Sequence, residues 1–286
     1  MKKYSKITTV LILTFVLTSF ISSEVGHFVK LRGQKQFVLT EGKEGPTIVF
    51  LTGKGRTQND FKMIYSKIKK TNQIFAYDRA GIGQSETLNN ERTVDTMAYE
   101  LNELLMKEYI KPPFILVGHS LGGSIMRCFV HMYPEKVAGL VFVDPSSDVS
   151  YKKGLEVRTD NDKTKYKDEF KSFLNNPKSS NGQNAEGKYC FDFDSTLYAT
   201  NHKIVKDLIF PSNIPITVLI STRADKNNPY SYQDNSIYVS FVEGWKKSSP
   251  QIKIITTEKS GHFIQADEPH LVLNEITEMS FKIIHK

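Results

Sequence analysis

The chain has 286 residues, of which 39% are hydrophobic and 24% charged, a balance that excludes a wholly disordered or collagenous polymer and leaves enough length to bury a sizeable core. The formal net charge is +7, and Lys2, Lys3 and Lys6 supply three of those charges before the first acidic residue, Glu24. The remaining lysines are scattered among Asp and Glu rather than gathered in a stripe, which argues against a nucleic-acid partner.

Residues 1–23 open with those lysines and continue as an apolar run from Ile7 to Ile21. This reads as a signal peptide or an N-terminal membrane anchor, short for a span and without an A-x-A-like pair of small residues between Ser19 and Gly26. Either way the lysine cluster stays cytoplasmic. The rest of the chain is expected to be extracellular or anchored on the outer face of the membrane, with membrane association through this segment.

Residues 24–286 read as a single domain. Gln36–Thr40 is expected as a strand of an antiparallel hairpin. From there short β-branched and aromatic runs alternate with amphipathic stretches, the pattern of a mostly parallel central sheet with helices on both faces. Thr47–Leu51, Ile74–Tyr77, Phe114–Val117, Val137–Val143, Ile216–Ser221 and Ile252–Thr257 are the predicted strands. Most are too continuously apolar to expose one face. Residues 60–70, 94–109, 121–133, 235–247 and 268–284 have helical spacing, with Thr93 and Asp267 as candidate caps. Residues 147–210, rich in Lys, Asp, Asn and Ser, interrupt this alternation and read as a cap insertion. Of the two cysteines, Cys128 lies on an apolar helix face and reads as core, and Cys190 lies in the polar insertion; two cannot form a disulfide framework.

Gly118-His119-Ser120-Leu121-Gly122 follows a predicted strand and precedes a predicted helix, which is the setting in which G-x-S-x-G forms a nucleophile elbow. With Tyr77-Asp78-Arg79-Ala80-Gly81-Ile82-Gly83-Gln84-Ser85, the run from Tyr133 to Pro145, Gly261-His262-Phe263 and Glu268-Pro269, the sequence resembles the α/β-hydrolase fold family, specifically its bacterial serine hydrolase and esterase-like branch. The resemblance covers most of residues 37–146 and 212–286.

A serine hydroxyl needs a base within reach to take its proton. His262, in the loop after the last predicted strand, occupies the histidine position that the resemblance implies. For the carboxylate that orients it, the resemblance favours Asp225, beyond the strand Ile216–Ser221. Asp144, at the end of the preceding strand, is the alternative. The oxyanion hole implied by the family maps onto the amides of Leu121 and Lys54. Asp78 and Arg79 read as loop-closing residues. His119 is expected to point away from Ser120.

Gly53-Lys54-Gly55-Arg56-Thr57 is too short for a phosphate loop, and no dinucleotide fingerprint or metal-spaced Cys/His cluster occurs, so no cofactor and no metal are expected. The resulting expectation is a carboxylesterase or lipase-like serine hydrolase acting on a small-molecule acyl substrate through an acyl-enzyme on Ser120. The alternatives are an aminopeptidase resembling proline iminopeptidases, with Asp192 and Asp194 holding a free amine, and a catalytically silent binding module of the same fold.

Overall fold

The computed structural model describes residues 26–42, 44–88, 92–146, 201, 203–223, 239, 242–247 and 249–285. The N-terminal segment, most of the insertion, Asp192, Asp194, Cys190 and Asp225 lie outside the described residues. Eight strands form one sheet in the order β1-β2-β4-β3-β5-β6-β7-β8. They are β1 (His27–Leu31), β2 (Gln34–Glu41), β3 (Thr47–Leu51), β4 (Ile74–Tyr77), β5 (Phe114–His119), β6 (Val137–Val143), β7 (Ile216–Ser221) and β8 (Ile252–Thr257). Strands β3 to β8 pair in parallel, while β1 and β2 form an antiparallel edge hairpin.

Successive side chains of a strand point to opposite faces, and the two cores divide accordingly. Val49 and Leu51 of β3, Leu116 of β5, and Leu140 and Phe142 of β6 pack on one face with α2 (Val94–Lys107) and α3 (Leu121–Met132). Ile48, Phe50, Ile115, Val117, Val141 and Val143 face the other way, against α1 (Lys62–Ile68) and α5 (Pro269–Ile284), which follows the short α4 (Ile264–Asp267). Two-sided burial explains why these strands are apolar without alternation. Strand β1 escapes that pattern because four of its five residues are only partly buried or exposed.

Of the two predicted caps, the structure keeps Thr93 in its place without a capping bond and moves the other by one residue. Thr93 stands at the N-cap of α2 but makes no capping bond; its hydroxyl meets that of Thr96 at 2.8 Å, and Asn201 Oδ1 accepts from the Val94 N–H. Glu268, not Asp267, precedes α5, and the Asp267 carboxylate instead accepts the Gly261 N–H at 2.9 Å. Of the predicted helix 235–247, only part is described: Gly244–Lys247 forms a 3₁₀ turn. Among the described residues, no helix is long and apolar enough to cross a membrane.

Helix α3 approaches the sheet so closely that a Cβ on Gly122 would lie 2.2 Å from the Leu51 carbonyl oxygen, a backbone atom without freedom to retreat. Replacing Gly122 with Ala is therefore expected to push α3 off β3 and cost about 1–3 kcal/mol of stability, the usual range for overpacking. Thermal unfolding of G122A against the parent checks this, the expected result being a midpoint lowered by several degrees.

Candidate active site

Strand β5 is buried along its whole length and ends at His119, and α3 begins at Leu121. One residue must therefore reverse the chain. Ser120 does so at φ 49° and ψ −118°, a conformation that L-residues adopt only under constraint. The constraints are visible: the Ser120 N–H extends the sheet ladder to the Val143 carbonyl, and the Ser120 carbonyl accepts from Gly123 and Ser146. Gly118 and Gly122 leave the room the turn requires, since a Cβ on Gly118 would lie 2.2 Å from the Met126 sulfur. The result is a half-buried hydroxyl at the carboxyl end of the sheet, in front of the amides of the first turn of α3.

His262, in the loop from β8 to α4, has its imidazole Nδ1 2.6 Å from Asp144 Oδ2. Asp144 directly follows β6 and is itself held at φ 41°. Its N–H donates to the Leu219 carbonyl, and its Oδ1 accepts from the Ser221 N–H at 2.9 Å. The carboxylate is thus fixed on one oxygen by β7 and presents the other to the imidazole. Because a carboxylate only accepts, Nδ1 carries a proton, and in the neutral ring the lone pair therefore lies on Nε2. The sequence reading preferred Asp225 in this role; that residue lies outside the described residues, and the carboxylate in contact with His262 is the alternative, Asp144. Ser221 also fastens the histidine loop, its hydroxyl donating to the Ser260 carbonyl at 2.7 Å.

The Thr52–Arg56 turn after β3 lies beside the elbow, since a Cβ on Gly53 would meet Ser120 Cβ at 3.3 Å. Arg79, 2% exposed, holds that turn from below: its guanidinium donates to the carbonyls of Thr52 and Gly53 at 2.8 and 2.7 Å and to the Thr52 hydroxyl at 3.0 Å. With its carbonyls engaged by Arg79, the turn is held in place beside the Ser120 elbow. Asp78 performs the complementary task, its two carboxylate oxygens accepting the N–H groups of Gln58 and Gln84. Burial raises its carboxyl above the usual range, and the two backbone hydrogen bonds and Arg79 partly offset this. The loop-closing role expected of Asp78 and Arg79 takes this physical form.

Two further residues enter the site without having been anticipated. Ser146 Oγ lies 3.3 Å from Ser120 Oγ. Its sequence signal was its place two residues after Asp144, on a loop whose Pro145 packs against Gly123. His119 turns away from Ser120 as expected, yet it arrives at the other catalytic candidate: its Nε2–H donates to the His262 carbonyl at 2.9 Å, with ring centroids 4.6 Å apart. Cys128 is buried, and burial pushes its thiol up to about 12, so it serves as core rather than nucleophile. Among the described residues no group of His, Cys, Asp or Glu is arranged to hold a metal ion.

The alpha/beta hydrolase fold family matches residues 46–274. YbdG of Bacillus subtilis is 36% identical over 132 residues, an alignment covering 44% of this chain and 41% of that protein. YqjL of the same organism is 28% identical over 232 residues, covering 81% and 82% respectively. Among solved structures, Cfl2 from Burkholderia cenocepacia superposes with a TM-score of 0.63 at 20% identity, covering 88% of this chain and 94% of that one.

Burial, followed by the nearby charge of His262 and of Arg56 and Arg79, holds His119 well below its ordinary value of 6.5, although its bond to the His262 carbonyl opposes the shift. The unfolded chain therefore takes up a proton near pH 6.5 that the folded chain refuses. The stabilisation from a neutral His119 is fully present above that pH and is lost as the pH falls toward the lower folded value, by at most about 1.4 kcal/mol per pH unit. Asp60 Oδ2 faces the ring from 3.8 Å. Denaturant unfolding at pH 7.5 and 5.5 is expected to show a shallower loss of stability in His119→Gln than in the parent.

Proposed function

We propose that this chain, which belongs to the α/β-hydrolase fold family, is a serine hydrolase that cleaves a carboxylic ester or related acyl bond of a small molecule through an acyl-enzyme on Ser120. The observation that carries this reading is the 2.6 Å contact between Asp144 Oδ2 and His262 Nδ1, at the same end of the sheet as the strained Ser120 elbow. In this reading Asp144 keeps the proton on Nδ1 and stabilises the imidazolium that forms when Nε2 accepts the Ser120 proton. Ser120 Oγ attacks the acyl carbon, and the oxyanion is received by the amides of Leu121 and Lys54. Collapse expels the alcohol, which takes the proton from His262. Water then repeats the sequence and frees the acid.

A serine at the elbow separates this chemistry from fold relatives that rely on an aspartate nucleophile, whose ester intermediate forms on a carboxylate. The basic N-terminus and the apolar run Ile7 to Ile21 support export or anchoring on the outer face of a membrane. No cofactor enters any step of this scheme.

Ser120→Ala is expected to abolish labelling by a fluorophosphonate and turnover of p-nitrophenyl esters, with the unfolding midpoint roughly unchanged; retained turnover would remove Ser120 from the mechanism. Asp144→Asn is expected to lower kcat by about 10⁴-fold, as for the wrong tautomer in serine proteases. Asp225→Asn should leave kcat near the parent value. A folded, active D144N beside an inactive D225N would return the acid to the later strand. A parent protein that neither labels nor turns over any ester or amino-acyl anilide would instead identify a silent binding module.

A further inference from the structure

We infer that His119 is a positioning residue for the general base, a neutral buried imidazole that sets the distance between nucleophile and base by tying both to the end of β5. The inference rests on the assignment of Ser120 and His262 above and deepens it. The end of β5 carries Ser120 through the chain itself and His262 through one hydrogen bond, from His119 Nε2–H to the His262 main-chain carbonyl at 2.9 Å. That bond fixes the tautomer, because a carbonyl only accepts, and leaves Nδ1 bare.

The surroundings keep it so. His119 is 1% exposed; its Nδ1 lies 3.8 Å from Asp60 Oδ2 and makes no hydrogen bond among the described residues. Asp60 is engaged elsewhere, with Arg56 Nε at 2.7 Å and Gln265 Nε2 at 3.4 Å. Gly53 closes over the same nitrogen so tightly that a Cβ there would meet it at 2.7 Å. Phe263 covers the ring, its centroid 5.4 Å from that of His119, and Arg56 lies over the Phe263 ring at 5.1 Å.

The need for such a tie is geometric. The His262 side chain is 48% exposed and its loop carries Gly261 immediately before it, so the ring has little packing to hold it on the solvent side. Asp144 fixes the tip of the imidazole at Nδ1. A ring fixed only at its tip pivots, and Nε2 swings with it; fixing the main-chain carbonyl supplies the second point. Because the donor belongs to the residue that precedes Ser120, any displacement of β5 moves nucleophile and base together.

The test compares His119→Leu, which fills the core without a donor, with His119→Gln, whose Nε2–H₂ reaches as far as the imidazole Nε2. H119L is expected to lower kcat and the rate of fluorophosphonate labelling by about 10–100-fold, the scale of a misplacement of about 1 Å, with KM within about 3-fold of the parent. H119Q is expected to restore most of that loss. Parent-like kcat in H119L, or equal losses in H119L and H119Q, would overturn the inference. Should H119L fail to fold, His119→Asn, too short to reach the carbonyl, takes its place against H119Q under the same criteria. Ser120→Ala is run alongside: turnover by S120A refutes the hydrolase assignment itself, whereas a silent S120A with parent-like H119L refutes only the role of His119.

Discussion

The positive φ at Ser120 is the constraint around which the rest is arranged. A serine held at φ 49° does not stay there by preference, and its neighbours must block every relaxed alternative. Backbone bonds to Val143, Gly123 and Ser146 do so from three directions, and glycines at 118 and 122 remove the side chains that would collide with Met126 and with the Leu51 carbonyl. A turn this tight could not be accommodated on a flexible edge strand. It is built on β5, which is paired on both sides by parallel neighbours and covered on both faces.

The charges beneath the site follow the same logic. Arg79 is buried, and a guanidinium there is tolerable because three acceptors in the Thr52–Gly53 turn receive it. What stabilises the arginine also immobilises the turn, so one set of hydrogen bonds satisfies a buried ion and fixes the backbone that lies beside Ser120. Asp78 offers its oxygens to the N–H groups of Gln58 and Gln84 rather than to the arginine alone. Arg79 and Asp78 thus fasten the connection after β3 at two points, the arginine through the carbonyls of Thr52 and Gly53 and the aspartate through the Gln58 N–H.

Much of this was legible in the chain. The six parallel strands were readable because a strand buried on both faces has an uninterrupted apolar run, and the elbow because glycines at fixed offsets flank one serine between a strand and a helix. The edge strand β1 was not, since His27, Phe28 and Lys30 have no apolar alternation to declare them. The contact of Asp144 with His262 was beyond sequence reasoning for a different cause. Strands β6 and β7 are adjacent and parallel, so an acid at the end of either points to the same edge. What distinguishes Asp144 is the left-handed backbone and the Ser221 amide that aims its second oxygen, and neither has a sequence signature. The contact of His119 with His262 is likewise a fact of three dimensions, made across 143 positions of chain.

The insertion between β6 and β7 departs and returns through fastened points. Ser146 is bound to the elbow as the chain leaves, and on the way back Asn201 accepts from the first amide of α2 while Arg127 of α3 donates to the Val205 carbonyl. Arg127 also lies over the Trp245 ring. Between two points fixed to the same frame, the entropic cost of closing a chain rises only slowly with its length, by about 0.6 kcal/mol for each doubling. The frame therefore leaves an evolutionary slot: the length of chain between the two anchors can change at small cost in stability, without disturbing the geometry around Ser120.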